Sequence, residues 1–275
     1  MRSRFLYSAL AVALLAGCMP MEERTAHFEN KWPAETIKHL DLTEVNGTVT
    51  VSGDSPSAVT MSAGVRARGV RPNSKRPYDG YLSAELDGDT LTIRTEGSHH
   101  HGFIFSFGND VRVDYDLHVP PQVSLSLVTV NGRIETRGIA GETAAKTVNG
   151  SLDLESTGSN ELEAKSVNGR IQAKFLHDFH GARLGTVNGR VIAVLPPTAS
   201  FLGDFTQVNG DFEAAFPLNI HSHPGSRRVS GEVNGGRYTL KISTVNGDIT
   251  IDNGAPPAPA APPPPPPPPA GIPRT

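Results

Sequence analysis

Four histidines stand in pairs close enough along the chain to share a ligand, His177 with His180 and His221 with His223. Imidazole nitrogens are common transition-metal ligands, and zinc holds them at about 2.0–2.1 Å. Three more, His99, His100 and His101, open a stretch from 97 to 108 in which Phe103, Phe105 and Phe107 alternate. Cys18 is the only cysteine, so it has neither a disulfide partner nor a second thiolate with which to hold a metal. Acid–base or nucleophilic catalysis needs groups that converge on one cleft. Glu135, Asp153, Glu155 and Asp248 instead stand singly, on positions expected to face solvent. The chain also has no glycine-rich phosphate loop, serine elbow or acyltransferase hexapeptide pattern, so neither an enzyme nor a cofactor is expected. Arg68, Arg71, Lys75 and Arg76 read as a solvated basic loop rather than an anion site.

What must position any of these groups is a tripeptide that keeps returning. Val-Asn-Gly begins at Val45, Val130, Val148, Val167, Val187, Val208, Val233 and Val245, and from Val130 to Val208 the steps are 18, 19, 20 and 21 residues. Self-similarity in that range is the mark of a stacked repeat. Ahead of the tripeptide, apolar residues alternate on the parity of the residue before Val, as in Val123, Leu125, Leu127 and then Thr129. After it they follow the parity of Val itself, as in Val167, Ile171, Ala173 and Phe175. Strand side chains alternate faces with a period of two, so the switch requires a corner or bulge, with the Thr/Ser and the Val both expected to point inward.

The corner residues are then Asn46, Gly47, Asn131, Gly132, Asn149, Gly150, Asn168, Gly169, Asn188, Gly189, Asn209, Gly210, Asn234, Gly235, Asn246 and Gly247. Glycine is expected there because it accepts positive φ, and asparagine because it tolerates it. A lone Asn-Gly between strands signals a hairpin; eight copies with one parity switch read instead as rungs about 4.8 Å apart, with valine and isoleucine columns inside and an asparagine amide ladder at the corner. The fold class is all-β, a β-solenoid-like stack with an irregular N-terminal β cap. The rungs carrying the two histidine pairs are expected to lie two apart, roughly 9.6 Å, too far to share one zinc.

Residues 1–17 read as a lipoprotein signal peptide: Arg2 and Arg4, an apolar run of 11 residues from Phe5 to Leu15, and then Leu15-Ala16-Gly17-Cys18, which resembles the bacterial lipobox. That resemblance implies cleavage after Gly17 and lipidation of Cys18, hence a membrane partner, and Met19 after it implies the outer membrane of the cell envelope. Residues 18–35 read as a lipidated cysteine and flexible tether, 36–254 as the β-repeat domain, and 255–275 as a disordered tail. The tail holds 12 of the chain's 23 prolines and prefers the extended polyproline II form. A formal charge of −3 with both signs scattered gives no reason to expect nucleic acid.

The run Tyr115-Asp-Leu-His-Val-Pro120, followed by Leu127-Val-Thr-Val-Asn-Gly132 and then by Lys-Thr-Val-Asn-Gly150 and Lys-Ser-Val-Asn-Gly169, resembles the bacterial putative-adhesin family of β-strand repeat proteins, a domain of unknown function. The resemblance spans most of residues 37–253. It implies a right-handed β-solenoid-like envelope domain without established enzymatic activity, and hence surface binding or scaffolding with an envelope protein or a glycan as partner. The alternative is a periplasmic regulatory or stress-response lipoprotein contacting an envelope partner. A carbohydrate-active solenoid enzyme ranks below both.

Overall fold

The computed structural model describes residues 23–68, 82–95, 110–157, 161–218 and 228–254. These residues are all-β apart from one 3-10 turn at Ala34–Thr36, and their strands join in one continuous sheet. In chain order the strands are β1 (Glu23–Pro33), β2 (His39–Thr43), β3 (Asn46–Ser52), β4 (Ala58–Arg68), β5 (Leu82–Asp87), β6 (Thr90–Thr95), β7 (Asp110–His118), β8 (Ser124–Ile139), β9 (Thr143–Asn149) and β10 (Leu152–Ser156). They continue with β11 (Leu162–Asn168), β12 (Ile171–Phe175), β13 (Ala182–Gly185), β14 (Val191–Val194), β15 (Phe201–Asn209), β16 (Phe212–Ala214), β17 (Arg228–Val233), β18 (Tyr238–Asn246) and β19 (Ile249–Asp252).

Each repeat is a strand, a corner at Val-Asn-Gly and a second strand, so the sheet is creased along the line of corners into two walls. Strands before the corner stack in parallel as β2, β8, β9, β11, β13, β18 and β15. Strands after it stack as β3, β8, β10, β12, β14, β19 and β16, β8 running through the crease to serve both walls. Residues in register keep their types, for example Leu152 beside Ile171 and Ile171 beside Val191. The core therefore consists of aliphatic columns in the angle between the walls, with Leu127, Ile134, Leu152, Ile171, Val191 and Ile249 fully buried. Burying each such side chain contributes roughly 1.5–3 kcal/mol. Toward the C-terminal end the columns give way to aromatic rings packed edge to face, Phe175 on Phe179 at 5.0 Å and Phe201 on Phe216 at 5.5 Å between centroids.

The corner differs from expectation in its inward set. The valines point outward, from 38% exposed at Val130 to 47% at Val208, and only Val233 is buried. The inward place belongs to the residue before each valine, namely Thr129, Thr147, Ser166, Thr186, Gln207, Thr244 and Glu44. The corner is convex, so the parity switch is absorbed by a run of outward positions such as 130–133 instead of by two adjacent inward side chains.

The reason for glycine is the expected one at four corners, Gly47, Gly189, Gly210 and Gly247, where φ lies between 132° and 156°, but Gly132, Gly150 and Gly169 do not have positive φ. A Cβ on Gly150 would instead lie 1.7 Å from the Gly132 carbonyl oxygen, and one on Gly169 would lie 1.6 Å from that of Gly150. The constraint is contact between backbones of successive rungs.

Val233-Asn234-Gly235 is the copy that forms a tight turn instead of a corner. Asn234 and Gly235 have φ of 49° and 84°, and the Gly236 N–H donates to the Val233 carbonyl at 3.1 Å, as in the primed two-residue turns. This turn wraps Ser200, whose hydroxyl donates to the Asn234 carbonyl at 2.7 Å. It carries the chain from β17, antiparallel on one side of β15, to β18, parallel on the other. The last rungs are therefore out of chain order, β18 and β19 lying between the Val187 rung and the Val208 rung. The rungs of Val167 and Val208 are three spacings apart, not two, or about 14 Å.

Antiparallel strands flank the parallel stack: β5 lies on β6, β4 on β7, β1 on β4, and β17 on β15. Antiparallel strands thus end the parallel stack at three of its four wall ends, while at the fourth β16 pairs with β19 alone among the described residues. Residues 23–33, expected to be tether, are strand β1. Ala26, Phe28 and Trp32 fall on one parity and pack toward the core, an alternation that the intervening polar residues mask.

Gly169→Ala is expected to lower unfolding free energy by about 2–4 kcal/mol through overpacking. Gly64→Ala, where a Cβ meets nothing within 4 Å, should leave stability unchanged or raise it by about 0.5 kcal/mol. Asn168→Ala should fall between, costing about 1–2 kcal/mol for one lost donor and one lost acceptor. Urea titration of the three variants against the parent chain tests this order.

Candidate functional site

The corners bring seven of the predicted asparagines into one line. Side-chain amide donation runs from Asn131 to Asn46 at 3.0 Å, Asn149 to Asn131 at 2.9 Å and Asn168 to Asn149 at 2.9 Å. It continues from Asn188 to Asn168, Asn246 to Asn188 and Asn209 to Asn246, each at 2.8 Å. Every amide points the same way, and the Asn46 amide completes the series by donating to the Val111 carbonyl at 3.4 Å. Asn234 lies outside the ladder and donates to the Ala199 carbonyl at 2.8 Å. Beside the ladder runs the column of outward valines, so the crease presents one amide row and one apolar row at the spacing of the strands.

Beneath the ladder lies a second line, of inward polar groups. Thr186 and Thr244 donate to the glycine carbonyls of neighbouring rungs, Gly169 and Gly189, at 3.3 Å. At the C-terminal end the longer Gln207 amide reaches the carbonyls of Asp211 at 3.1 Å and Gly247 at 2.8 Å. At the N-terminal end the position is Glu44, which is fully buried. Its Oε1 accepts the Asn46 N–H at 2.8 Å, and its Oε2 accepts the Thr95 hydroxyl. The Thr95 oxygen lies 2.8 Å from the Tyr115 hydroxyl. Burial pushes the Glu44 carboxyl up to about 7, against the lowering effect of the Thr95 and backbone hydrogen bonds. Burial also raises the Tyr115 phenol, with the Thr95 bond opposing and the Glu44 charge adding. Sequence reasoning missed Glu44, although a visible signal was its departure from the Thr, Ser or Gln that precedes Val in the other ladder rungs.

The other candidates are not brought together. His177 is exposed, and His180 packs against the Tyr238 ring at 4.5 Å. His221, His223, Cys18, the His/Phe stretch 97–108 and the proline-rich tail lie outside the described residues. Among the described residues no group of three or more His, Cys, Asp or Glu side chains is placed to hold a metal ion. The carboxylates weighed for catalysis are engaged by cations on the outer face of the second wall: Asp153 with Arg133 at 2.9 Å, Glu155 with Lys174 at 3.5 Å, Glu135 with Arg137 at 3.2 Å and Asp248 with Arg190 at 2.8 Å.

A model of the family described as Toastrack DUF4097 matches residues 33–252. Among solved structures, a putative cell adhesion protein from Clostridium sporogenes aligns at 9% identity over 83% of this chain and 99% of that one, with a TM-score of 0.44. A putative adhesin from Bacteroides fragilis aligns at 9% identity over 82% and 96%, with a TM-score of 0.27. A putative lipid binding protein from Parabacteroides distasonis aligns at 10% identity over 82% and 96%, also with a TM-score of 0.27. Similarities of this size carry no functional weight. No curated protein matches the sequence.

Glu44 supplies a pH test of the buried line. A folded pKa of about 7 against an ordinary 4.5 means that the folded state holds the proton more tightly. The associated stability is fully present below about pH 4.5 and is lost as pH rises through 7, on the order of 3 kcal/mol. Glu44→Gln removes this dependence. Relative to the parent chain it should be distinctly more stable at pH 8 than at pH 4, read as the difference between their urea midpoints at each pH. Equal differences at both pH values would contradict the assignment.

Proposed function

The chain belongs to the Toastrack DUF4097 family, and from that premise we propose that it is a non-enzymatic cell-envelope lipoprotein whose creased β-stack binds a surface partner, a glycan or another envelope protein. The observation that carries this reading is the placement of the repeated residues. The asparagines and glycines hold the crease together, while both walls turn rows of charged and hydroxyl side chains to solvent on a backbone held at fixed spacing. A rigid repetitive surface of that kind suits recognition by contact area. Cys18 supplies the anchor: several acyl chains hold a protein at a membrane stably, where one does not. We place that membrane as the outer one, from Met19 beside the lipobox.

Protease treatment of intact cells, blotted for the domain beside a permeabilised control, tests the orientation. Loss of the domain from intact cells is expected. Protection until permeabilisation would place it inside and support the alternative, a regulatory lipoprotein whose partner lies in the periplasm. Cys18→Ala is expected to move the chain from the membrane fraction to the soluble fraction of the same cells, and unchanged fractionation would remove the lipid anchor.

A further inference from the structure

We propose that the outer face of the second wall carries a carbohydrate-binding trough floored by β3. The proposal rests on the surface-binding reading and names its ligand class, a short oligosaccharide held through its hydroxyls. β3 turns Thr48, Thr50 and Ser52 outward, each half-buried. On one side they face Arg133, Glu135 and Arg137 of β8. On the other side Thr50 and Ser52 face Asp116 and His118 of β7. A strand of short hydroxyl side chains between two strands of longer ones makes a channel roughly 9.6 Å across between strand axes. The cavity there is about 410 Å³ and open to solvent, within the range that takes a small ligand.

This floor is particular to one rung. The positions of Thr48, Thr50 and Ser52 are filled by Ser151, Asp153 and Glu155 on β10 and its approach, and by Arg170, Gln172 and Lys174 one rung later. There Arg170 pairs with Asp153 at 3.4 Å and Lys174 with Glu155 at 3.5 Å across the strands.

The groups lining the trough divide into engaged and available. Asp114 closes one end: despite partial burial, the Arg66 and Arg112 guanidiniums and the Thr48 N–H hold its carboxyl below the usual carboxylate range. Glu135 is engaged by Arg137 at 3.2 Å and Arg133 at 3.7 Å. Asp116 has only His118 Nε2 within ion-pair distance among the described residues, at 3.9 Å, while His118 Nδ1 lies 2.8 Å from Asp54.

An exposed carboxylate with one oxygen clear of His118, next to hydroxyls that both donate and accept, matches the adjacent hydroxyls of a sugar ring. Five acids here, Asp54, Asp114, Asp116, Glu135 and Asp153, stand against four arginines, Arg66, Arg112, Arg133 and Arg137. The field is near balance, which favours a neutral polyol over a free cation. The Tyr115 ring is turned inward and buried, so it offers no stacking platform. Recognition through hydroxyls alone gives weak single-site binding, which many copies anchored on one membrane would strengthen through avidity.

Saturation-transfer NMR on the purified full chain with maltose, lactose, cellobiose and N,N′-diacetylchitobiose tests the trough. Transfer to at least one is expected, with binding about tenfold weaker in Asp116→Asn, the loss of one charge-assisted hydrogen bond. Weakening is also expected in Thr50→Val, and unfolding midpoints within a few degrees of the parent would show that both variants fold. No transfer to any of the four sugars, or transfer unaffected in both variants, would overturn the proposal. So would calcium chloride titration showing an Asp116-dependent cation site without sugar binding. The two readings separate cleanly: shaving from intact cells without sugar binding removes the trough alone, and protection from shaving with Asp116-dependent sugar binding removes the outward orientation alone.

Discussion

The approach of one glycine backbone to the next along the crease is the constraint on which the other features rest. Stacked corners bring each glycine so near the carbonyl of the adjacent rung that no Cβ fits between them. Once glycine permits that approach, the preceding asparagines fall into register, and their amides meet at hydrogen-bonding distance without further adjustment. The ladder is in this sense a consequence of the glycine contact as well as a reinforcement of it. Because all the amides point one way, neighbouring dipoles align and each bond polarises the next.

A convex corner also sorts the residues around it. Valine is left outside, where β-branched side chains pack against their counterparts on adjacent strands. The residue before it is left inside, where Thr186 and Thr244 donate to glycine carbonyls of neighbouring rungs while the hydroxyls of Thr129, Thr147 and Ser166 have no hydrogen-bond partner among the described residues. Small residues suit the middle of the stack because they add little volume. The ends of the line use longer groups, Gln207 and Glu44, which reach more partners. Glutamate is the costly choice, since its charge is buried without a cationic partner among the described residues, and hydrogen bonds from Thr95 and the backbone offset only part of that cost. The N-terminal cap therefore contains a group at odds with neutral pH, in a fold whose other rungs avoid one.

The two ends show how a repeat becomes a finite body. β1, β4 and β5 close one end as antiparallel strands, and β17 closes one wall at the other. Exchange of the last two rungs follows from that closure. The chain runs β17 back along the outside of β15, then turns about Ser200 to place β18 on the inner side. With the crease occupied by structural bonds, the outer faces of the walls are where rungs differ most from one another, and those differences, such as the hydroxyl floor of β3, are where recognition can be encoded.

The sequence by itself determined the repeat, the corner, the ladder and the all-β class, because a strand period of two and a recurring Asn-Gly are local facts about neighbouring residues. It placed Asn131, Asn149, Asn168 and Asn188 in one row from spacing alone. It did not determine which side of the corner faced inward: the parity switch at Thr129-Val130 is equally consistent with two residues in or several residues out, and only the convexity of the crease decides. Nor could it separate Val233 from the other copies, since the same tripeptide makes a primed turn or a rung according to what the flanking strands pair with. The meeting of Glu44 with Thr95 and Tyr115, and of Thr50 with Asp116 and Glu135, joins residues far apart in the chain. Such contacts arise from rung register, which long-range backbone pairing sets.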